Sequence, residues 1–285
     1  MAFNVQTFLT RLGSAAIFSA IMLLGLLLNE WAFIALFFTV NLLCLREYTS
    51  IVELILQTKF NRNEKFNFII LGIALFMLVT ALPLLQCENA SSVFLSKLLF
   101  YFIGLSIGTL LIFFMFKKNK KSIYLLTGLG YIPLALGFLV QLRFQSLLLP
   151  LMLILFIWMN DSLAYLTGSF IGKTPFFPSI SPKKTWEGTI GGIIFTMAFA
   201  FIWGSLTNWF PISLWIVLGG VAGIIGTIGD LVESKLKRLA GIKDSGNIMP
   251  GHGGALDRFD SILLSAPFAF IVAMLYEVCK QVSVF

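Results

Sequence analysis

The chain has 285 residues, of which 58% are hydrophobic and 12% are charged, whereas soluble domains carry about 25% charged residues. A soluble globular protein is therefore excluded. The 30 Phe and 24 Gly residues favour a multi-span membrane protein, in which lipid-facing surfaces are apolar and glycine permits close helix packing. Cys44, Cys87 and Cys279 stand far apart without a CxxC pair, which argues against a thiolate metal site or a disulfide framework.

Nine apolar stretches approach the roughly 20 residues that cross a bilayer. They cover residues 13–28, 31–45, 66–85, 95–116, 122–140, 147–165, 189–206, 212–229 and 261–276. We expect an all-α polytopic fold with about nine transmembrane helices. A signal peptide is the alternative for the first stretch, but no small-residue cleavage site precedes the second.

With nine spans, successive loops lie on alternating sides of the membrane, and the basic residues fall mainly on one of these sides. Seventeen of the 20 Lys and Arg residues lie on that side, and Lys97, Arg143 and Lys280 lie on the other. The positive-inside rule then predicts a cytoplasmic N-terminus and an external C-terminus in the cytoplasmic (inner) membrane. This topology explains the net charge of +7, with attraction to anionic membrane lipid as a second benefit. We therefore expect no nucleic acid partner.

All five aspartates lie after residue 160, namely Asp161, Asp230, Asp244, Asp257 and Asp260. Ionisable groups at a span boundary indicate function because their desolvation is costly without partners or metals. We therefore divide the chain into an N-terminal scaffold, residues 1–145, with no buried charge, and a catalytic region, residues 146–285. Its cytoplasmic loops are predicted at 160–188 and 230–260, and the active site at this membrane boundary.

Residues 168–174 resemble a nucleotide-binding phosphate loop. They are one residue short of that pattern and follow a membrane span instead of a strand. A helix end followed by a basic loop is the better interpretation.

Two polar segments have competing interpretations. Asn160 and Asp161 could form a structural hydrogen bond between helices, or Asp161 could face a wet, metal-containing cavity. Residues 181–188 could be a basic loop that obeys the positive-inside rule. Alternatively, Ser181, Lys184 and Thr185 could supply donors to a polyphosphate. The Gly188–Gly192 spacing predicts helix packing.

The last loop carries the densest set of charges. Asp230 and Glu233, like Asp257 and Asp260, are spaced i and i+3, so each pair would share one face of a helix. Carboxylate oxygens are ligands for Mg²⁺, which takes one or two of them together with phosphates. The glycines beside His252 would leave backbone N–H groups open to an anion.

The block from Ser234 to Asp260 resembles the signature of the phosphatidate cytidylyltransferases, also called CDP-diglyceride synthases. It comprises Ser234, Lys237-Arg238, Lys243-Asp244, Pro250, His252-Gly-Gly and Asp257-Arg-Phe-Asp260. Residues 161–165 and 181–188 are similar to two upstream blocks of that family, so the specific similarity covers residues 158–267. Met249 and Ala255 depart from the pattern without removing a polar group.

The resemblance implies an all-helical homodimer that transfers a cytidylyl group from CTP to phosphatidic acid, giving CDP-diacylglycerol and pyrophosphate. A lipid phosphate with a second pKa near 6 is already ionised, so catalysis needs positioning and charge and no dedicated base. Mg²⁺, alone or with a second cation, is expected on Asp230 and Asp257, with Asp161, Glu233 and Asp260 as ligands or supporting partners. The expected catalytic set is Asp230, Asp257, Lys237, Arg238, His252 and Arg258. The expected nucleotide-binding set is Ser181, Lys183, Lys184, Thr185, Lys243, Gly253 and Gly254.

Three rival functions use similar parts. A CTP-dependent enzyme could act on another lipid phosphate or lipid alcohol. A proton-coupled transporter would place carboxylates at mid-span and broken helices in two halves, a pattern that the sequence lacks. An alcohol phosphotransferase would need an Asp-Gly-x-x-Ala-Arg block, which is absent.

Overall fold

The structure, a computed structural model, describes residues 5–81, 120–248 and 253–282. These residues contain ten α-helices. They are α1 (Val5–Leu27), α2 (Glu30–Leu56), α3 (Arg62–Ala81), α4 (Lys120–Tyr131), α5 (Pro133–Gln145), α6 (Leu148–Ile171), α7 (Trp186–Leu206), α8 (Ile212–Gly220), α9 (Gly226–Leu239) and α10 (Leu256–Val282). A π-helical turn, Val221–Ile225, joins α8 to α9. The described backbone forms no strand, and an isolated bridge joins Pro175 to Thr185. The all-α prediction is confirmed, and no strand precedes residues 168–174.

Seven described helical stretches are long and apolar enough to cross a membrane. They are Glu30–Leu56, Arg62–Ala81, Lys120–Gln145, Leu148–Ile171, Trp186–Leu206, Ile212–Leu239 and Leu256–Lys280. They match the second, third and fifth to ninth predicted spans. The first predicted span falls in α1, whose apolar part, Ala16–Leu27, is shorter, and residues 95–116 lie outside the described ranges. A multi-pass membrane protein is confirmed, and the number nine stays a prediction.

Several helices extend beyond their predicted ends, and α2, for example, continues to Leu56 instead of 45. α6 continues to Ile171 instead of 165, α9 continues to Leu239 instead of 229, and α10 begins at Leu256 instead of 261. The prediction of a loop over 230–260 is therefore wrong at both ends, because four of its five acidic residues, all except Asp244, lie on helices. Hydropathy ends a span at the first charges, whereas here these charges contact one another inside the protein and not lipid.

α10 brings helices from both parts of the chain together. It packs against α2, α5, α6, α8 and α9, and its Leu256, Phe259 and Leu263 are buried. The Phe37 ring of α2 meets the Phe259 ring edge-on, with centroids 6.0 Å apart. A contact between α2 and the start of α10 therefore exists near the clustered charges.

α6 and α7 pack closely through small residues. A methyl group at Gly192 would lie 2.8 Å from the Ala164 Cβ and 2.9 Å from the Asn160 carbonyl oxygen. The packing interpretation of the Gly188–Gly192 spacing is thus confirmed. Asn160 itself is buried and donates to Thr227 Oγ1 at 3.4 Å, so its structural interpretation holds.

Candidate active site

One face of α9 carries a row of polar side chains. Asp230, Glu233, Ser234 and Lys237 follow helical spacing and therefore point to the same side. Glu233 and Lys237 are buried, whereas the Asp230 side chain is 27% exposed. The row thus runs from an accessible carboxylate into the protein interior.

The Lys237 ammonium lies between two buried carboxylates. Its Nζ is 2.6 Å from Glu233 Oε2 and 2.5 Å from Asp257 Oδ1. Glu233 Oε1 has no hydrogen-bond partner among the described residues, so the charge of Glu233 is balanced mainly by the close contact of Oε2 with Lys237. One cation here faces two anions, and the excess negative charge favours a further cation nearby.

Asp257 fixes the segment that leads into α10. Its Oδ2 accepts hydrogen bonds from Ser245 N at 2.8 Å, Ser245 Oγ at 2.9 Å and Gly254 N at 2.7 Å. Gly253 has φ +82°, a left-handed conformation that favours glycine, and a Cβ there would collide with the Asp257 carboxylate. With three donors on Oδ2, a metal could reach Asp257 only through Oδ1, which Lys237 already contacts. The Gly254 N–H that was expected to meet an anion is donated to this carboxylate.

A further buried carboxylate comes from the N-terminal scaffold. Glu47 of α2 accepts from Ala255 N at 2.9 Å, Leu256 N at 2.8 Å and Ser245 Oγ at 2.7 Å. The prediction that residues 1–145 hold no buried charge is therefore wrong. The sequence carried a signal for it, because Arg46 and Glu47 end an apolar run and ionisable residues at a span boundary need partners.

The segment before α7 folds back as a short hairpin. Phe176 N donates to Lys184 O at 2.8 Å and Trp186 N donates to Thr174 O at 2.9 Å. Thr185 Oγ1 accepts from Gly188 N at 3.2 Å and so caps α7. The hydroxyl oxygen proposed for CTP therefore also has a structural role, and this hairpin directs Lys184 toward α9.

Lys184 of the hairpin forms an ion pair with Asp230 of α9. Asp230 also accepts from Ser234 Oγ at 3.2 Å. Arg238, at the far end of α9, holds the same hairpin by donating through Nε to Ile180 O at 3.3 Å, and it holds the segment after α9 by donating through Nη1 to Ile242 O at 3.0 Å. The hairpin block, residues 181–188, and the block on α9 thus meet at the Lys184–Asp230 ion pair.

Further predicted residues surround this meeting point. Asp161 of α6 interacts electrostatically with Lys184, Asp230 and Arg258, and Asp260 interacts in the same way with Asp230, Glu233 and Asp161. Arg258 Nε is buried and has no hydrogen-bond partner among the described residues. An unsatisfied buried guanidinium donor beside this cluster is a candidate contact for an anionic substrate.

The donor set fits Mg²⁺. Within the described ranges, no three carboxylate, imidazole or thiol groups form a preassembled metal site. Mg²⁺ does not require one, because it usually binds one or two carboxylates and takes its other oxygens from water and substrate phosphates. Asp230 and Asp161 are the accessible carboxylates here, and Asp260 lies in electrostatic reach of both.

The remaining predicted residues have simpler positions. Lys183 and Lys243 are exposed, and Ser181 is half-buried in the hairpin turn, where its N–H donates to Phe177 O at 2.9 Å. His252 lies outside the described residues. The roles predicted for all of them stay predictions.

Comparison with known proteins gives a consistent result. The profile described as the cytidylyltransferase family matches residues 9–276. A protein of Aquifex aeolicus named phosphatidate cytidylyltransferase is 39% identical over 177 residues, which are 61% of this chain and 67% of that protein. Proteins of the same name from Staphylococcus haemolyticus (35% over 205 residues, 70% of this chain and 76% of that protein) and Staphylococcus saprophyticus (37% over 169 residues, 57% and 65%) are also similar. The chain spans slightly less than two thirds of the S. saprophyticus protein.

Proposed function

Because this chain belongs to the cytidylyltransferase family, we propose that it transfers a cytidylyl group from CTP to phosphatidic acid. The products are CDP-diacylglycerol and pyrophosphate. The curated relatives carry the name of this activity, which supports phosphatidic acid as the acceptor in phospholipid synthesis.

The observation that carries the proposal is the convergence of three separate segments on one polar site. Lys184 of the hairpin pairs with Asp230 of α9. Asp257, at the start of α10, pairs with Lys237 of α9. Cations and carboxylates from three segments therefore meet at one end of the membrane-spanning helices, where a water-soluble nucleotide and a lipid head group can both reach them.

The reaction requires two anions to approach each other. An oxygen of the lipid phosphate forms a bond to the α-phosphorus of CTP, and the bond from that phosphorus to the oxygen bridging to the β-phosphate breaks. Pyrophosphate leaves with that bonding electron pair. The lipid phosphate carries ≈ −1.5 to −2 charge at neutral pH, so the chain need not supply a general base.

The charged residues of the site have different roles in this reaction. Lys184 and Arg258 provide positive charge to the phosphates, and the rigid Lys237–Asp257 pair holds the start of α10 in place. Asp230, with Asp260 and Asp161, would hold Mg²⁺, while Glu233 balances Lys237. Bound Mg²⁺ would neutralise phosphate charge and orient the triphosphate.

The same proposal includes a location and an assembly. We place the site on the cytoplasmic face of the inner membrane because 17 of 20 basic residues fall on that side of the predicted alternation. The family resemblance supports a homodimer. Native mass spectrometry in detergent tests this assembly: a monomer mass under conditions that retain activity would contradict it.

Incubation of the purified protein with labelled CTP, phosphatidic acid and Mg²⁺ tests the function. We expect label from the cytidine ring in a lipid product and one pyrophosphate released per product. Matched reactions contain a polyprenyl phosphate, an ether-linked phosphatidic acid or diacylglycerol as the acceptor. Label transfer to the polyprenyl phosphate alone would overturn the acceptor, and phosphorylation of diacylglycerol with release of CDP would overturn the reaction class.

A further inference from the structure

A carboxylate outside the predicted catalytic region holds the segment that carries the last motif. Glu47 is 8% exposed and lies on α2, about 200 positions before its partners. Its Oε1 accepts from Ala255 N, and its Oε2 accepts from Leu256 N and Ser245 Oγ. Three donors from the motif segment therefore converge on one side chain of another helix.

Two of these donors are the first backbone N–H of α10, Leu256 N, and that of the residue directly before the helix, Ala255 N. The N-terminal N–H groups of a helix have no partner within the helix and carry a partial positive charge. A carboxylate there both satisfies them and interacts favourably with the helix dipole. Glu47 thus caps α10 from outside, one residue before Asp257.

Two glycines allow the Glu47 carboxylate to approach this segment closely. A Cβ at Gly254 would collide with the Glu47 carboxylate and with Ser245 Oγ, and a Cβ at Gly246 would lie 2.5 Å from Glu47 Oε1. Glycines on both sides of the segment thus give Glu47 access to the backbone. This accounts for Gly254 in the motif without a direct contact to a nucleotide.

Ser245 connects Glu47 to the charged cluster. Its Oγ lies 2.7 Å from Glu47 Oε2 and 2.9 Å from Asp257 Oδ2, so one hydroxyl contacts both carboxylates. Asp257 in turn contacts Lys237. A displacement of Glu47 would therefore also displace Ser245 and the N-terminus of α10. The positions of Asp257 and Arg258 would change with them.

We propose that Glu47 is a positioning residue for the cytidylyl transfer, a role that rests on the function proposed above. It does not touch the reacting groups. It sets the conformation of residues 245 and 253–256, and through them the directions of Asp257 and Arg258. Misplacement of reacting groups by about 1 Å can cost about 100-fold in rate.

Glu47→Gln tests this role because Ala255 N and Leu256 N donate to different Glu47 oxygens, and the amide replaces one of these oxygens with an NH2 group that cannot accept. We expect kcat to fall by about 10- to 100-fold, with a smaller change in KM for either substrate. Glu47→Asp retains the charge with a shorter side chain and should recover part of the loss. Ser245→Ala is the milder variant should Glu47→Gln fail to fold.

Glu53→Gln is the matched control. Glu53 lies on the same helix and accepts from a backbone N–H, Phe60 N, and from Lys65 Nζ at 2.7 Å, but it forms no hydrogen bond or ion pair with the described residues 245–248 and 253–257. Its variant should keep kcat within about twofold, because it loses the same kinds of bond away from the site. A kcat loss equal to that of Glu47→Gln would overturn the positioning role.

Hydrogen exchange provides a readout that is independent of turnover. In Glu47→Gln, peptides that contain residues 253–258 should exchange faster than in the wild type, and peptides from α6 and α7 should not. Unchanged exchange at 253–258 would overturn the proposal. If the wild type transfers no cytidylyl group, the proposed function fails, while the exchange result still decides whether Glu47 holds this segment.

Discussion

Lys237 Nζ lies 2.5 Å from Asp257 Oδ1 and so links α9 to the first turn of α10. The side chains of both residues are at most 10% exposed. Breaking a buried ion pair by removing one partner leaves an uncompensated charge in the interior. This pair therefore serves stability as well as the geometry of the site.

Replacement of Lys237 should destabilise the fold because Glu233 and Asp257 would both lose their cation. We expect Lys237→Met to lower the free energy of unfolding by about 3–5 kcal/mol, measured as reduced thermal stability in detergent. Adding Glu233→Gln to Lys237→Met should recover part of the loss, since it removes one of the two uncompensated charges. A single variant as stable as the wild type would show that the pair contributes little.

The two aspartates named as magnesium ligands should behave differently when neutralised. Asp230→Asn removes an accessible carboxylate that contacts Lys184 and Ser234. We expect at least about 100-fold loss of activity, a changed Mg²⁺ dependence and little loss of thermal stability. Asp257→Asn alters a buried carboxylate with four donors, and it should lower activity and melting temperature together.

A magnesium titration with both variants checks this difference. Retained activity and unchanged Mg²⁺ dependence in Asp230→Asn would contradict its assignment as a ligand. A stable Asp257→Asn protein with a large shift in Mg²⁺ dependence would make Asp257 a direct ligand through Oδ1.

The orientation in the membrane follows from the basic residues. With nine spans and a cytoplasmic N-terminus, a green fluorescent protein fused after Phe285 should remain dark when exported, and an alkaline phosphatase fusion should be active. A fluorescent fusion would show an even number of spans, with the error most simply placed in the division of residues 13–45.

Hydropathy predicted the positions of the helices well and their ends poorly. The pattern could not show that Glu233, Lys237 and Asp257 neutralise one another, because they are separated in sequence and meet only in the folded protein. It therefore placed these charges in a loop. Spacing did predict that Asp230 and Glu233 share a helix face.

Glu47 was missed for the same physical reason. The position of Glu47 at a span boundary indicated that it needs a partner, but a glutamate there has the same appearance whether its partner is water or a distant helix. Its partners are two backbone N–H groups and a serine, and no side-chain pattern identifies a backbone donor in advance. The signature residues were found because their types and spacing are themselves distinctive.

Lys184 provides the sharpest test of whether the hairpin contacts the nucleotide. Its side chain is 28% exposed and pairs with Asp230, so it can change partners when a triphosphate binds. Lys184→Ala should raise KM for CTP or lower kcat by about tenfold, the loss of one charged hydrogen bond, with little change in yield or melting temperature. Lys173→Ala is the control, because Lys173 is an exposed lysine at the start of the same hairpin. If both variants match the wild type across all CTP concentrations, Lys173 and Lys184 contribute only to the orientation of the protein in the membrane. Nucleotide binding would then be assigned to residues of α6, α9 and α10.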